Sequence, residues 1–300
     1  MLKIAYSQEY KYDVGENHRF PMIKYELLPQ QLLYEGSISE SNFFRPSVLT
    51  EEDILRVHTN DYWQALKNQT LTKKQIRPIG FPMSAALVER GRRIAHGTIE
   101  CALFAQRYGV SLNVAGGTHH AYADHGEGFC VFNDFAIASK YLLANGHCKK
   151  ILIVDLDVHQ GNGTASIFRD DDSVFTFSMH GEKNYPSKKE KSDLDIGLPD
   201  KCDDKRFLNE LYDALPAVIE KSQPDLLFYL SGVDILEGDK LGRLSVSKKG
   251  CKLRDEYVFK TAKANNIPVA VSMGGGYSER ISDIIDAHAN TFRSAIDVYF

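Results

Sequence analysis

The chain has 300 residues, 43% of them hydrophobic and 25% charged, the composition of a folded domain with room for a large core. Its formal net charge of −4 argues against a broad basic surface for nucleic acid. No apolar run approaches the ~20 residues of a membrane span, and the start MLKIAYSQEY lacks the basic flank and long apolar stretch of a secretion signal. The five cysteines, Cys101, Cys130, Cys148, Cys202 and Cys251, are odd in number with no CxxC spacing. They suggest neither a disulfide framework nor a thiolate metal site, and they fit a reducing intracellular (cytoplasmic, or nuclear in a eukaryote) compartment.

In chain order, residues 2–6 read as a strand. IRPIGFPMS (76–84) reads as a loop before a long helix at 83–107. From residue 110 short apolar runs alternate with helical patterns. The runs are VSLNVA (110–115), ILIVDL (151–156), VFTFSM (174–179), LLFYLS (226–231) and IPVAVSM (267–273). Helices are expected at 132–145, 162–169, 205–222, 247–265 and 279–297. The Lys-rich stretch EKNYPSKKEKSD (182–193) reads as a solvated loop. Near-continuous apolar strands separated by helices predict a parallel sheet covered on both faces, hence one α/β domain over residues 1–300.

Open parallel sheets carry their sites beyond the carboxyl ends of the strands. Four runs end in residues with chemistry: GGTHHAYADH after NVA, DLDVHQGNG after ILIV, SGVDILEGD after FYL, and GGGYSER after VSM. Each alone has a plain reading. A lone Asp after a strand is commonly a cap or turn former, paired histidines are common in loops, and a glycine run is a flexible turn. Together at successive strand ends they point to one site. Asp157, His159 and Asp234 offer two carboxylates and an imidazole, a three-ligand set that leaves positions open for water and substrate. A divalent cation would offset the cost of burying the two carboxylates. Asp155 then needs another partner, which the His119–His120 pair can supply. His18, His58, His96, His125, His147 and His288 carry no such support, and His180 borders the site at most.

The blocks GGTHHAYADHGEGFCVFND, DLDVHQGNG, SGVDILEGDKLGRLSVS and GGGY resemble the histone deacetylase and acetylpolyamine amidohydrolase superfamily, as do HRFPM (18–22) and RPSVLTEEDILRVHTNDYW (45–63). The resemblance implies the arginase-like α/β fold with a central, mostly parallel sheet. DVHQGNG and DILEGDKLGRLSVS look most like the class IV (eleven-type) deacetylases, since Gln160 and Asn162 stand where class I members carry HHGD. It further implies zinc held by Asp157, His159 and Asp234, with Fe(II) or Mn(II) also compatible with so hard a donor set. His119 and His120 match the paired active-site histidines, Asp155 the acid orienting the first, and Asn162 the partner of the second. Tyr277 matches the tyrosine that hydrogen-bonds the substrate carbonyl. Gly128, Phe129, Tyr185 and Leu241 match the acyl-lysine tunnel. Structural potassium is implied near Asp155, Asp157, His159, Phe168, Ser178 and Met179.

The implied activity is hydrolysis of N-acyl-lysine in peptides or proteins, with acetyl and long-chain fatty acyl groups both open. His120, beside a neutral amide, is the better base, and His119, beside Asp155, the more basic of the two. Alternatives are an acylpolyamine amidohydrolase, for which Glu237 is a candidate acidic gatekeeper, and a non-catalytic acyl-lysine reader. Two-manganese ureohydrolysis needs more carboxylates than these strand ends provide. The size of the chain is compatible with a stable monomer.

Overall fold

The computed structural model describes residues 1–16 and 18–300. Eight strands form one sheet: β1 (Lys3–Ala5), β2 (Phe43–Phe44), β3 (Val110–Asn113), β4 (Ile151–Asp155), β5 (Val174–Gly181), β6 (Leu194–Leu198), β7 (Leu226–Leu230) and β8 (Val269–Ser272). Their order is β2-β1-β3-β8-β7-β4-β5-β6, and every pairing is parallel. The four inner strands β3, β8, β7 and β4 are buried along their whole length. This is why they read as unbroken apolar runs rather than as alternating ones. They are also neighbours, so the four chemistry-bearing segments leave the sheet side by side.

Ten helices fill the connections: α1 (Lys24–Tyr34), α2 (Glu51–Leu55), α3 (Asn60–Lys67), α4 (Lys73–Ile79), α5 (Ala85–Tyr108), α6 (Asp134–Ala144), α7 (Asn162–Ile167), α8 (Asp204–Ser222), α9 (Lys248–Ala264) and α10 (Ile281–Tyr299). α5 packs on α6, and α8, α9, α10 and α1 follow one another in a second packed series. Local chemistry sets the helix starts. Thr50, Thr59, Thr72, Ser84, Asn133, Asp203 and Ser247 each accept a hydrogen bond from the backbone N–H three residues on, satisfying a donor that the helix cannot.

Two expectations need correction. Residues 76–79 of the Pro-containing stretch are not loop but the last turn of α4. A Thr72–Gln75 capping box starts this helix, and Gly80, at φ 77°, ends it. The Lys-rich stretch is exposed at Lys183, Lys188 and Lys191, but it is anchored rather than freely solvated. Gln160 donates to Glu190 O (2.8 Å) and to Asp195 Oδ1 (2.7 Å), and accepts from Glu190 N (2.8 Å). The edge strand β6 was not expected from sequence. Its burial alternates, so it lacks the apolar run by which the inner strands announce themselves.

One buried cation stitches the strand ends together. Arg254 of α9 is fully buried and donates to the carbonyls of Gly232 (2.5 Å), Ser231 (3.2 Å) and Leu156 (3.4 Å). Its charge is matched by Asp255 at 2.9 Å, which in turn accepts from Tyr229 (2.5 Å) and Thr291 (2.7 Å). The segments following β4 and β7 are thereby held in fixed relation just before they deliver Asp157 and Asp234.

Candidate active site

The loop after β3 is organised by one carboxylate. Asp134, at the start of α6, accepts from Gly117 N (3.1 Å), Thr118 N (2.8 Å), Thr118 Oγ1 (2.8 Å), Thr98 Oγ1 (2.7 Å) and Ser272 Oγ (3.2 Å). These bonds fix the turn that presents His119 and His120, both buried. Asp134 has no role in the sequence reading. The only signal was an Asn-Asp pair opening a helix, which reads as a cap, and Asn133 does serve as that cap.

The two imidazoles are wired differently. His119 Nδ1 lies 2.7 Å from Asp155 Oδ2, at the end of β4. Burial alone would depress the basicity of His119, but the charge of Asp155 outweighs it and the net shift is upward. His120 Nδ1 lies 2.6 Å from Asn162 Oδ1. Burial, followed by the charges of His119 and His159, drives its pKa well below the ordinary value. The amide of Asn162 is itself oriented: its Nδ2 donates to Glu127 Oε1 (2.5 Å) and to the Tyr122 hydroxyl (3.1 Å). Its carbonyl must therefore accept from His120, which puts the proton on Nδ1 and leaves Nε2 as the bare nitrogen. Glu127 and Tyr122 were not singled out from the sequence.

Asp157, His159 and Asp234 come together as expected, each offering one donor atom, all within 4.8 Å of one another and all buried. Asp157 Oδ2 accepts from Gly275 N (2.8 Å) and Asp234 Oδ1 from Val158 N (3.0 Å). Asp157 Oδ1 faces His159 Nδ1 at 3.0 Å. Asp234 Oδ2 lies 3.2 Å from the same nitrogen yet receives no hydrogen bond. Burial followed by Asp157 pushes Asp234 up to about 7. Burial lowers His159, but the two carboxylates override it and push it up to about 10. An orphaned buried oxygen beside a second carboxylate and an imidazole is the arrangement a divalent cation would satisfy, so the donor set fits a metal. The backbone opposite leaves no room for a side chain: a Cβ on Gly275 would stand 1.9 Å from Asp234 Oδ2.

Tyr277, buried, follows the Gly274–Gly276 turn, with its N–H on Asp239 Oδ2 (2.6 Å) and its ring 6.4 Å from that of His159. It borders two connected spaces. The outer one, about 460 Å³, opens to solvent between Gly128, Phe129, Tyr185 and Leu241, the four expected wall residues, with Arg19, Arg77 and Pro78 at its lip. The inner one, about 40 Å³, is lined by the reactive groups themselves, His119, His120, Asp157, His159 and Tyr277, together with Phe20, Tyr25, Arg90, Ile94 and the Gly116–Gly117 and Gly274–Gly275 turns. Beside it Lys24, fully buried, donates to Gly274 O (3.0 Å). Glu237 is exposed and does not line the mouth.

Of the remaining histidines, His180 Nδ1 pairs with Ser178 Oγ (2.9 Å), and burial holds it down at about 4. The sheet register pairs Ser178 with Asp155, so those two expected potassium-site residues are neighbours. Phe168 stands at the end of α7, and its carbonyl accepts from Asp171 N (3.1 Å).

The histone deacetylase domain model matches residues 18–292. A protein of Picosynechococcus sp. strain PCC 7002, described as uncharacterised, is 45% identical over 296 residues, 99% of each chain. Histone deacetylase 2 of Arabidopsis thaliana is 29% identical over 98% of this chain and 80% of its own. The crystal structure of a deacetylase homologue from Aquifex aeolicus superposes with a TM-score of 0.83 at 26% identity, over 97% of this chain and 82% of that one. The fold shared with it is the arginase-like α/β arrangement.

Replacing Asp234 by Ala removes the orphaned oxygen and leaves a pair in place of three ligands. This variant is expected to take up less than a tenth of the stoichiometric divalent metal bound by the parent, by elemental analysis after dialysis. Full metal content in it would show that the donor set is misassigned.

Proposed function

Since this chain belongs to the histone deacetylase family, we propose that it is a zinc-dependent lysine deacetylase acting on acetyl-lysine in peptides or proteins. The observation that carries the reading is the unsatisfied Asp234 oxygen, set with Asp157 and His159 at the bottom of a walled opening and flanked by His119, His120 and Tyr277. The tetrahedral habit of zinc suits three ligands plus an open position, although two carboxylates and one imidazole also accommodate Fe(II) or Mn(II). A divalent ion held there supplies Lewis acidity toward the amide carbonyl and toward a water molecule.

The chain's own groups divide the remaining work. Gly128, Phe129, Tyr185 and Leu241 enclose the aliphatic part of the lysine and shield the amide from bulk water. His120 takes the water proton on Nε2, the nitrogen left bare by Asn162, and returns a proton to the departing amine. His119, kept basic by Asp155, adds positive charge beside the developing oxyanion. The Tyr277 hydroxyl donates to that oxyanion from the opposite side.

Acetyl is the proposed acyl group, the one the deacetylase family and its named relatives point to; Phe20, Tyr25 and Ile94 give the inner space an apolar side for its methyl. The class IV likeness rests on Gln160 and Asn162, and Gln160 contributes by pinning the Lys-rich loop that carries Tyr185. A structural potassium ion is proposed near Asp155 and Ser178, with carbonyls of Asp157, His159 and Met179. The five buried free thiols accord with a reducing intracellular compartment.

The deciding assay offers metal-replete protein acetyl-, octanoyl- and myristoyl-lysine peptides. Acetate release is expected, with the longer acyl groups hydrolysed at least tenfold more slowly; binding of acetyl peptide without hydrolysis would make the protein a reader instead. Tyr277→Phe is expected to retain its metal and lose roughly 10²–10³-fold in kcat, the scale for one oxyanion donor. Undiminished turnover would remove Tyr277 from the mechanism. Asn162→Asp sets a carboxylate against His120 and raises its pKa. Because the base works only when neutral, the acid limb of the pH–rate profile should move to higher pH; an unmoved limb would mean that His120 is not the base.

A further inference from the structure

Resting on the hydrolase reading above, we infer that this protein selects acylated amines whose remainder is anionic: an acetyl-lysine with carboxylates close by, rather than a basic tail or a polyamine. An acetylated lysine side chain is itself neutral, so charge discrimination must come from what stays outside the tunnel, and the lip there is cationic. Among the described residues its charged lining residues are Arg19 and Arg77, and no carboxylate lines it.

Both arginines are placed rather than dangling. Arg19 lies over the ring of Phe129, its guanidinium carbon 4.9 Å from the centroid. Arg77 is in the last turn of α4, which is stitched to the tunnel wall by Gly128 N to Pro78 O (3.0 Å) and Phe129 N to Ile79 O (2.8 Å). Among the described residues neither has a carboxylate within ion-pair reach, a state shared with exposed Arg107 and Arg206, which do not line the opening, whereas exposed Arg45, Arg169, Arg243 and Arg280 are paired. The opposite wall is mixed in charge and leaves the sign to the arginines: Tyr185 stands on the loop bearing exposed Lys183, Lys188 and Lys191 with exposed Glu182 and Asp193, and Leu241 follows exposed Glu237 and Lys240.

The nearby acids are already engaged. Asp239 is buried and accepts from the backbone of Tyr277, Leu241 and Gly242. Glu127 accepts from Asn162. A spermidine-like chain or a lysine-rich segment threading this opening would meet two unpaired guanidiniums, while Asp239 and Glu127 are not among the residues that line it. A flanking Asp, Glu or α-carboxylate would meet two unneutralised guanidiniums. Exposed ion pairs are each worth up to about fivefold in an equilibrium and are screened by salt.

The test compares one acetyl-lysine peptide flanked by Asp, by Asn and by Lys, together with acetylspermidine, measured as acetate release at low and high ionic strength. Acetyl-lysine with a blocked α-amine, as free acid and as amide, distinguishes the substrate's own α-carboxylate from acidic side chains as the source of the anion. At low salt the Asp-flanked peptide or the free acid should exceed its cationic or neutral counterpart by roughly tenfold in kcat/KM, chiefly through KM, and the gap should narrow at high salt. The Arg19→Gln/Arg77→Gln double variant should level the series, and Arg77→Glu should invert it. Equal rates across the charge series, a preference for the Lys-flanked peptide or acetylspermidine, or a ratio that survives in the double variant would overturn the inference. Failure of metal-replete protein to release acetate from any of these compounds is a different result, and it would overturn the hydrolase reading itself.

Discussion

Two carboxylates buried within a few ångströms of each other, with one oxygen left without a donor, form the constraint around which the rest is arranged. Removing an ion from water costs several kcal/mol even after relaxation, and here two of like sign share one pocket. The structure answers with three kinds of compensation. Backbone N–H groups of Gly275 and Val158 take one oxygen each. His159 supplies an imidazole between the two. The remaining oxygen, Asp234 Oδ2, has no donor, and a divalent cation would satisfy it. None of this works unless the ends of β4 and β7 stay in register, which the fully buried Arg254–Asp255–Tyr229 cluster enforces from the face of α9.

The same logic separates the two histidines. They are adjacent in sequence, their ring centroids are 4.1 Å apart, and both are buried, yet one is backed by a carboxylate and the other by an amide. An amide backed by Glu127 can fix a tautomer without contributing its own charge to the ring. The amide-backed imidazole is thereby the less basic of the two and the carboxylate-backed one the more basic. The difference is set not by the residues themselves but by what stands behind them.

Much of this was legible in the sequence because burial writes itself into composition. The inner strands β3, β4, β7 and β8 are covered on both faces, so they are apolar without interruption, and the abrupt change to His, Asp and Gly marks where each leaves the sheet. Asp157, His159, Asp234, His119, His120 and Tyr277 were found that way, and the motif resemblance then gave their partners. Edge strand β6 was illegible because one side of it faces water. The last turn of α4 was hidden by its own Pro78 and α1 by the Pro29 in its interior, and short α2 and α3 lack the length that makes a period visible. The supporting residues Asp134, Arg254, Glu127 and Lys24 were missed for a common reason. A buried charge looks, in a string of letters, like any surface charge until its partners are known. Arg19 and Arg77 were missed for the converse reason, since nothing local distinguishes an arginine at a cavity lip from one elsewhere on the surface.

A parallel sheet sends every strand the same way, and this fixes where α10 ends. After Tyr277 the backbone enters α10, whose 19 residues span roughly 28 Å at 1.5 Å per residue. That helix brings Tyr299 against Gly109, immediately before β3 begins. Phe300 thus sits at the edge of the sheet opposite the reactive pocket. A reporter, affinity handle or solid support joined there would be held a helix-length away from arriving peptides, so the molecule could be immobilised with its opening still facing free solution.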